Sequence, residues 1–311
     1  MKKQIAVFTL VTTLGLSIQP IVSSAETAQN TQAAQQSGWV QEENGKWYFY
    51  ENGAKKTGWL ALNGKWYYLD PNEGGAMKIG WAQVEGKWFY LNPNEGGAMK
   101  TGWEKVEGKW YYLDPKTDGS MKTGWFQDNG KWFYLNANEG GAAKIGWEKV
   151  DGKWYYFDGS DGAAMKTGWF QENDQWYYLD ASGVMVNGWT RIDGKMNYFQ
   201  DNGQWINTRE LTVTSTAYTN DPTENGYKPG QHVYTKMGDD LTANPDLKVI
   251  AVDPSVIPLE SKVYVEGYGI AEARDTGGAI RGNKIDVFIP SKQESSNWGR
   301  KTVKIYVLPK N

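Results

Sequence analysis

The chain has 311 residues and a formal net charge of −3, with 17 Trp, 19 Tyr, 37 Gly, a single His and no Cys. The absence of Cys excludes thiol nucleophiles, disulfides and Cys-ligated zinc. His232 is the single His, so a multi-His zinc site is excluded as well, although His232 could still serve in one Ser-His-Asp triad. No basic stripe is present, which argues against nucleic acid as a partner. Carboxylates are therefore the leading candidates for any hydrolytic chemistry, and we expect no metal and no cofactor.

The N-terminal segment has the pattern of a secretory signal peptide. Lys2 and Lys3 are followed by an apolar stretch from Ile5 to Leu16, which is short for a membrane span. Ser23 and Ala25 are small residues at the positions that a signal peptidase favours, so we predict a signal peptide over 1–25. Residues 26–37 are rich in Gln, Ala and Thr, and we predict a disordered linker there. The mature chain is expected to be secreted, cell-wall associated and free of the membrane.

A repeat of 20 to 22 residues fills the next part of the chain, which we assign to 38–208. Each unit contains a Gly-Trp pair, a second Trp followed by aromatic residues, and a Gly-rich turn. The last copy is degenerate, because Met196 replaces the second Trp and Trp205 closes the array. The Gly-Trp tryptophans are Trp39, Trp59, Trp81, Trp103, Trp125, Trp147, Trp169 and Trp189.

Each unit predicts a β-hairpin. A short strand from Gly58 runs into Asn63-Gly64, a strong two-residue turn signal, and a second strand begins at Lys65. A lone hairpin is marginal in water, but stacked hairpins with aromatic rings on both faces can bury each other. The repeats are therefore expected to form a β-solenoid of hairpins.

The density of aromatic rings exceeds what a hairpin core needs. Trp and Tyr clusters can surround a quaternary ammonium by cation–π attraction or stack on the apolar faces of sugars. The alternative is that many of these rings are simply core. We predict that the array binds a repeating wall polymer through weak sites in series. The candidate ligand-binding residues are Trp59, Trp66, Trp81, Trp88, Trp103, Trp110, Trp125, Trp132, Trp147, Trp154, Trp169 and Trp176.

The repeats resemble the cell-wall-binding repeats of choline-binding proteins and of related glucan-binding proteins and clostridial toxins. The Gly-Trp, Gly-Lys-Trp-Tyr-Tyr and Met-Lys-Thr-Gly-Trp segments carry this resemblance. It implies choline on teichoic acid as the ligand, although related repeats bind other wall polymers or glucans. A choline-bearing teichoic acid and a glucan both remain candidate partners.

The C-terminal part, 209–311, has a different composition. Runs of β-branched residues separated by Pro and Gly predict a small all-β domain without a useful amphipathic helix. Asp286 stands out within the apolar strand pattern from Lys284 to Ile289. Asp is unfavourable inside strands, and a carboxyl between apolar neighbours has a raised pKa, as a general acid requires. The alternative is a solvated strand face with Asp286 paired to Lys284.

Two further aspartates lie in turn patterns. Asp275 begins Asp-Thr-Gly-Gly, and Asp253 precedes Pro254. Asp commonly initiates turns, so a purely structural role is the simpler interpretation for each residue alone. Gly277 and Gly278 indicate backbone that bends tightly or approaches a ligand closely.

The whole domain resembles the three-Asp (3D) domain family. The resemblance rests on Thr216-Ala217-Tyr218, Val249 to Pro254, Val263 to Gly269, Asp275 to Asn283, Ile285-Asp286-Val287 and Trp298-Gly299-Arg300. It implies a double-psi β-barrel similar to the catalytic core of the membrane-bound lytic transglycosylase A family. Asp286 then matches the catalytic aspartate, with Asp253 and Asp275 supporting it, and substrate contacts are expected at Tyr218, Thr276, Gly277 and Gly278. Glu260 and Met237 depart from the family pattern, which has Gly and Ser or Thr there.

The fold class expected is all-β, with a β-hairpin solenoid repeat module and a small C-terminal double-psi β-barrel. The implied function is a secreted, wall-anchored peptidoglycan lytic transglycosylase, which cleaves the bond between N-acetylmuramic acid and N-acetylglucosamine in glycan strands without metal. One carboxyl can act first as acid and then as base in this reaction. The alternative is a non-catalytic cell-wall or glucan-binding surface protein.

Overall fold

The computed structural model describes residues 37–310. The signal peptide expected over 1–25 lies outside these residues, as does the expected linker apart from Ser37. Within 37–310, no helix is long and apolar enough to cross a membrane.

Each repeat folds as an antiparallel hairpin, as the turn signals predict. In the second repeat Gly58 pairs with Leu69 and Trp59 with Tyr68. Asn63 and Gly64 both have positive φ angles, of 51° and 73°, which is the backbone that a type I′ turn requires. The strands of the array are β1 (Gly38–Gln41), β2 (Trp47–Glu51), β3 (Ala54–Lys55), β4 (Gly58–Leu62), β5 (Lys65–Asp70), β6 (Ala76–Met77), β7 (Gly80–Val84), β8 (Lys87–Asn92), β9 (Ala98–Met99), β10 (Gly102–Val106), β11 (Lys109–Leu113), β12 (Gly124–Asp128), β13 (Lys131–Asn136), β14 (Ala142–Ala143), β15 (Gly146–Val150), β16 (Lys153–Asp158), β17 (Ala164–Met165), β18 (Gly168–Glu172), β19 (Gln175–Leu179), β20 (Gly188–Ile192), β21 (Lys195–Phe199) and β22 (Trp205–Ile206).

A short helical turn often follows the second strand of a hairpin. After β5, the side chain of Asp70 accepts a hydrogen bond from the Asn72 amide, and Gly74 ends the turn in the left-handed region with φ 61°. The chain then returns as β6, which pairs with β5. The 3-10 helices of the array are Pro71–Glu73, Pro93–Glu95, Ala137–Glu139 and Gly159–Asp161.

One position in each repeat forms the core of the array. This position lies three residues after the second Trp, or after Met196 in the last copy, and its side chain is fully buried in seven repeats. Burying a side chain of this size contributes about 1.5–3 kcal/mol relative to leaving it exposed. The residues are Leu69, Leu91, Leu113, Leu135, Phe157, Leu179 and Phe199.

The described chain divides into two compact units within the array. The first comprises the residues up to Glu104 together with Leu113–Met121. The second comprises Lys105–Tyr112 and the residues from Lys122 onward, so it contains the later repeats and the C-terminal domain.

The C-terminal domain is a closed six-stranded barrel. Its strands follow the order β23-β27-β24-β26-β25-β28, with parallel pairing of β23 with β27 and of β24 with β26. The strands are β23 (Arg209–Tyr218), β24 (Val249–Ala251), β25 (Lys262–Val265), β26 (Gly269–Asp275), β27 (Lys284–Phe288) and β28 (Lys301–Val307). A seven-residue helix, α1 (Lys292–Trp298), and a 3-10 helix, Pro222–Asn225, complete the domain. The helix is a feature that the sequence patterns did not predict.

Apolar side chains pack on both faces of the barrel wall. Ile250 and Val287 belong to the interior cluster. On the outer face, Phe288 and Val249 pack against Val233 and Leu241 from the connection between β23 and β24. This connection, residues 219–248, is called the covering segment below. It removes part of the outer wall from water, and the candidate acid residues lie beside it.

Only two residues separate the last strand of the array from the first strand of the barrel. β22 ends at Ile206 and β23 begins at Arg209. The ring of Trp189 lies 5.7 Å from that of Tyr264, and Arg191 forms an ion pair of 3.4 Å with Glu266. The predicted all-β class, the hairpin repeats and the small C-terminal barrel are thus confirmed.

Candidate functional site

Two of the three candidate aspartates flank one residue of the barrel. Ala251 on β24 has Asp275 of β26 as its partner on one side and Asp286 of β27 on the other. Side chains of directly paired residues point to the same face of a sheet. Ala251 alternates with Ile250, which faces the interior, so Asp286 belongs to the outer face. A bulge at Ile250/Ala251 adjusts the register with β26 at this point.

Asp286 has the properties of a carboxyl group kept partly from water. Its Oδ1 atom is buried and finds no hydrogen-bond donor among residues 37–310. Burial raises the pKa of Asp286, while the Thr216 hydroxyl and the Lys284 charge oppose this rise and the Asp275 carboxylate adds to it. Thr216 is the register partner of Asp286 on β23. The expectation that apolar strand neighbours would raise this pKa is therefore supported by the geometry.

Asp275 ties the covering segment to the barrel. Its Oδ1 accepts hydrogen bonds from the backbone amides of Lys236, at 2.9 Å, and Thr276, at 2.8 Å. The neighbouring amide of Met237 donates to the Arg274 carbonyl. Arg274 in turn forms two bonds of 2.8 Å to the Asp239 carboxylate. This arrangement holds the turn 235–239 against the end of β26, with the side chain of Met237 exposed.

Asp253 is a turn-forming residue in this structure. Its Oδ1 accepts from the amide and the hydroxyl of Ser255, at 3.0 and 2.7 Å, and its Oδ2 accepts from the Gly282 amide at 2.7 Å. These bonds lower the pKa of Asp253 to about 2, with the Ser255 hydroxyl as the largest cause. Asp253 therefore connects the end of β24 to the glycine-rich loop that follows Asp275.

The four candidate substrate-contacting residues surround the aspartates in different ways. The hydroxyl of Tyr218 is buried without a hydrogen-bond partner among the described residues, and its pKa is raised chiefly by burial and then by Asp275. Thr276 follows Asp275 directly. At Gly277 an added Cβ would lie 2.9 Å from Ile280, whereas at Gly278 it would meet nothing within 4 Å. Glycine is thus sterically required at Gly277.

The site combines one partly buried carboxyl group with two carboxylates that anchor loops. Asp286 carries the raised pKa, and Asp275 and Asp253 accept backbone hydrogen bonds that order the adjoining loops. A weakly solvated carboxyl beside a buried phenol suits proton donation to a leaving oxygen. Sequence reasoning named Thr216 only within the family resemblance and did not predict its pairing with Asp286, and it missed the Arg274–Asp239 pair. Neither contact is indicated by a local pattern.

The backbone conformation at position 260 favours glycine, although Glu260 occupies it. It has φ 69°, in the left-handed region, and its amide donates to the Ala273 carbonyl at 2.7 Å. A residue with a Cβ incurs a conformational penalty of about 1–2 kcal/mol in this region, and glycine does not incur it.

The tryptophans of the array form aromatic boxes between successive hairpins. Trp59 contacts Trp66 of its own hairpin at 6.5 Å and Phe89 of the next hairpin at 4.8 Å. Trp125 repeats this arrangement with Trp132 at 6.3 Å and Tyr155 at 4.8 Å. In these two boxes the candidate ligand-binding tryptophans are therefore brought together as a pair, with a third ring from the following repeat.

The two tryptophans of a unit differ in exposure. The Gly-Trp residues are mostly half-buried, as the core alternative anticipated, whereas the second tryptophans extend into solvent. Trp66 is 48% exposed, which is unusual for so large an apolar ring. The exposed second tryptophans are Trp47, Trp66, Trp88, Trp132, Trp154 and Trp176, and among the Gly-Trp residues Trp169 is exposed as well.

A cavity of about 520 Å³ opens at the Trp59 box. Trp59, Trp66 and Phe89 line it together with Met99. Lys87 and Asp118, which also line the cavity, form an ion pair of 2.6 Å. Perpendicular indole rings beside polar residues suit either a quaternary ammonium or the apolar face of a sugar.

Family models match both parts of the chain. The choline-binding repeat matches residues 36–81, 78–118, 100–145 and 144–187. The 3D domain matches residues 248–309, a range that contains Asp253, Asp275 and Asp286.

Among known proteins, the cell wall-binding protein YocH of Bacillus subtilis (strain 168) is 64% identical over 101 residues. This match covers 32% of the chain and 33% of YocH, so the chain spans about a third of the length of this relative. Choline-binding protein F from Streptococcus pneumoniae aligns with 40% identity and a TM-score of 0.48, over 55% of this chain and 57% of that one. CbpJ from Streptococcus pneumoniae TIGR4 aligns with 38% identity and a TM-score of 0.48, covering 55% of this chain and 58% of that structure. The chain thus carries choline-binding repeats followed by a C-terminal 3D domain.

Proposed function

We propose that this protein binds the cell wall through its repeats and cleaves peptidoglycan glycan strands at Asp286 by a lytic transglycosylase reaction. The single observation that carries the catalytic part is the Asp286 carboxyl, whose Oδ1 is buried without a donor and whose pKa is raised by burial. Such a group holds a proton close to neutral pH more readily than an exposed aspartate. The wall-binding part is supported by the matched repeats and by the wall-binding relative YocH.

The proposed reaction needs one carboxyl in two roles. Asp286 donates its proton to the glycosidic oxygen as the bond from the anomeric carbon of N-acetylmuramic acid breaks. The 6-hydroxyl of the same sugar then forms the new bond to that carbon, and its proton passes to the Asp286 carboxylate. The products are a 1,6-anhydro end and a free 4-hydroxyl, and Asp286 is again protonated. Tyr218 would position the sugar, and Asp275 and Asp253 would hold the loops around it.

Mass spectrometry of purified peptidoglycan digested with the mature protein tests the proposal. We expect anhydro-muropeptides from the wild type and none from Asp286→Asn. Asp246→Asn is a matched control, because Asp246 is an exposed aspartate of the covering segment. Products with ordinary reducing ends would indicate hydrolysis by water and would reject the mechanism.

Wall binding is tested separately with isolated cell walls and the full-length mature protein. Release of the bound protein by free choline would identify a quaternary ammonium ligand, and release by dextran would identify a glucan. Retention of the protein in the supernatant without either competitor would reject wall binding itself.

A non-catalytic wall-binding protein is the second candidate function. The specific observation that favours it is the use of Asp253 and Asp275 as acceptors of backbone hydrogen bonds, which is a sufficient structural reason for both residues. Intact wall binding without any new muropeptide would select this candidate.

A further inference from the structure

The box at Trp147 differs from the boxes at Trp59 and Trp125 in what the following hairpin supplies. At Trp147, the indole Nε1 donates a hydrogen bond of 2.5 Å to the Glu172 carboxylate. The hydroxyl of Tyr156 donates to the other oxygen of the same carboxylate at 2.9 Å. Burial and then Glu172 raise the pKa of Tyr156 to about 12, so this phenol remains a donor at neutral pH.

The ring of Phe170 fills the space between these groups. It lies 4.6 Å from Tyr156 and 5.5 Å from Trp147, and it stacks on Tyr177 at 5.5 Å. Phe170 is only 7% exposed. A fully packed phenyl ring occupies the volume that a small ligand would need.

The second wall of the box is also arranged differently. In the Trp59 and Trp125 boxes the paired tryptophans meet at 6.5 and 6.3 Å. Among residues 37–310, no corresponding ring contact joins Trp147 to Trp154. Trp154 is 41% exposed and lies near the Lys149 ammonium instead.

The sequence difference responsible is small. In the hairpin that follows Trp59, Ala82 and Val84 occupy the register positions that Phe170 and Glu172 occupy after Trp147. Val84 lines the open cavity at Trp59. A methyl group and a valine therefore leave room where a phenyl group and a carboxylate close the box.

We propose that the Trp147 box is occupied by the chain's own Phe170 and Glu172 and takes no wall ligand, whereas the Trp59 box accepts a quaternary ammonium group. This inference rests on the proposed wall-binding function. It implies that the number of ligand sites is smaller than the number of inter-hairpin boxes, and that residues two and four positions after the Gly of each Gly-Trp pair set which boxes are open.

The indole N–H signals of the full mature protein report on each box separately. Choline chloride is titrated, and the signals of Trp59 and Trp147 are assigned by Trp59→Phe and Trp147→Phe. We expect the Trp59 signal to shift with choline and the Trp147 signal to stay constant. In the double variant F170A/E172V the Trp147 signal should become choline-sensitive, and in the reciprocal variant A82F/V84E the Trp59 signal should lose its response.

A Trp147 signal that shifts with choline in the wild type would overturn the proposal. If no indole responds to choline, the proposed choline ligand fails, and a second measurement then decides the inference. Glu172→Gln without any ligand removes the charge from the acceptor of the Trp147 indole. A clear shift of the Trp147 signal supports the closed box, and an unchanged signal rejects it.

Discussion

Asp275 and Asp286 flank the same residue, Ala251, on neighbouring strands of the barrel. Asp275 accepts backbone hydrogen bonds, whereas a buried oxygen of Asp286 has no donor among the described residues. Two carboxyl groups of the same chemical type are thereby given different environments. Burial raises the pKa of Asp286, and the consequence for stability can be measured.

Replacing Asp286 should make the protein more stable at neutral pH. The folded-state pKa of Asp286 is raised above its unfolded value of about 3.9, so its favourable contribution is complete at low pH and is lost as pH rises through the folded pKa. Asp286→Asn stays neutral at every pH. We expect it to unfold a few degrees higher than wild type at pH 7 and at the same temperature near pH 4, measured by circular dichroism. A lower unfolding temperature at pH 7 would contradict the burial argument.

Asp253 should show the opposite dependence. Its folded-state pKa is lowered to about 2, so its contribution is present above the unfolded pKa and is lost as pH falls towards 2. Asp253→Asn cannot accept from Ser255 and Gly282 with two oxygens. We therefore expect wild type to be the more stable protein above about pH 4 and the two to converge near pH 2. Thermal unfolding of both proteins across this pH range tests the prediction. A difference in unfolding temperature that stays the same at every pH would contradict it.

The Arg274–Asp239 pair should contribute measurably to stability because it is bidentate and mostly buried. Arg274→Met should lower the free energy of unfolding by about 1–3 kcal/mol in urea. Lys304→Met is the control, since its pair with Glu210 is more exposed and should contribute less than about 1 kcal/mol. Equal losses in the two variants would refute the distinction.

Glycine at position 260 should stabilise the barrel. Glu260→Gly removes the side-chain penalty at φ 69°, and we expect a gain of about 0.5–1 kcal/mol after the entropy cost of glycine. Glu260→Ala loses the same contact with Lys310 but keeps a Cβ, so it should show no gain. Urea unfolding of both variants separates backbone strain from the lost ion pair.

Ligand binding and folding should depend on different residues of one repeat. Trp66→Ala should weaken ligand binding at the Trp59 box and change the free energy of unfolding by only about 1 kcal/mol, because the ring is 48% exposed. Leu69→Ala, at a fully buried position, should cost about 2–5 kcal/mol. A large loss of stability in Trp66→Ala would instead assign that ring to the core.

Local patterns predicted the hairpins well. The Asn63-Gly64 turn and the alternation after Lys65 are encoded in adjacent residues, so the strand bounds and the register follow from the sequence. The barrel strands were also visible as β-branched runs, and Asp286 was recognisable because its apolar neighbours belong to the same strand. Strand β26, Gly269–Asp275, was harder to find, since Glu272 and Arg274 interrupt its apolar pattern.

The remaining features depend on contacts between distant segments. The covering segment has little regular structure, so no periodicity indicates that Val233 and Leu241 will pack against Phe288. The closed box at Trp147 was missed for a related reason. Phe170 and Glu172 look like ordinary variation within a repeat, and their effect appears only when the following hairpin lies against the preceding one.

The two-residue junction between Ile206 and Arg209 has a mechanical consequence. The Trp189–Tyr264 and Arg191–Glu266 contacts across it hold the last hairpin against the barrel, so this connection is more than a flexible tether. A barrel held in this way keeps one orientation relative to the last hairpin. Inserting a flexible spacer after Ile206 would release the barrel from this orientation.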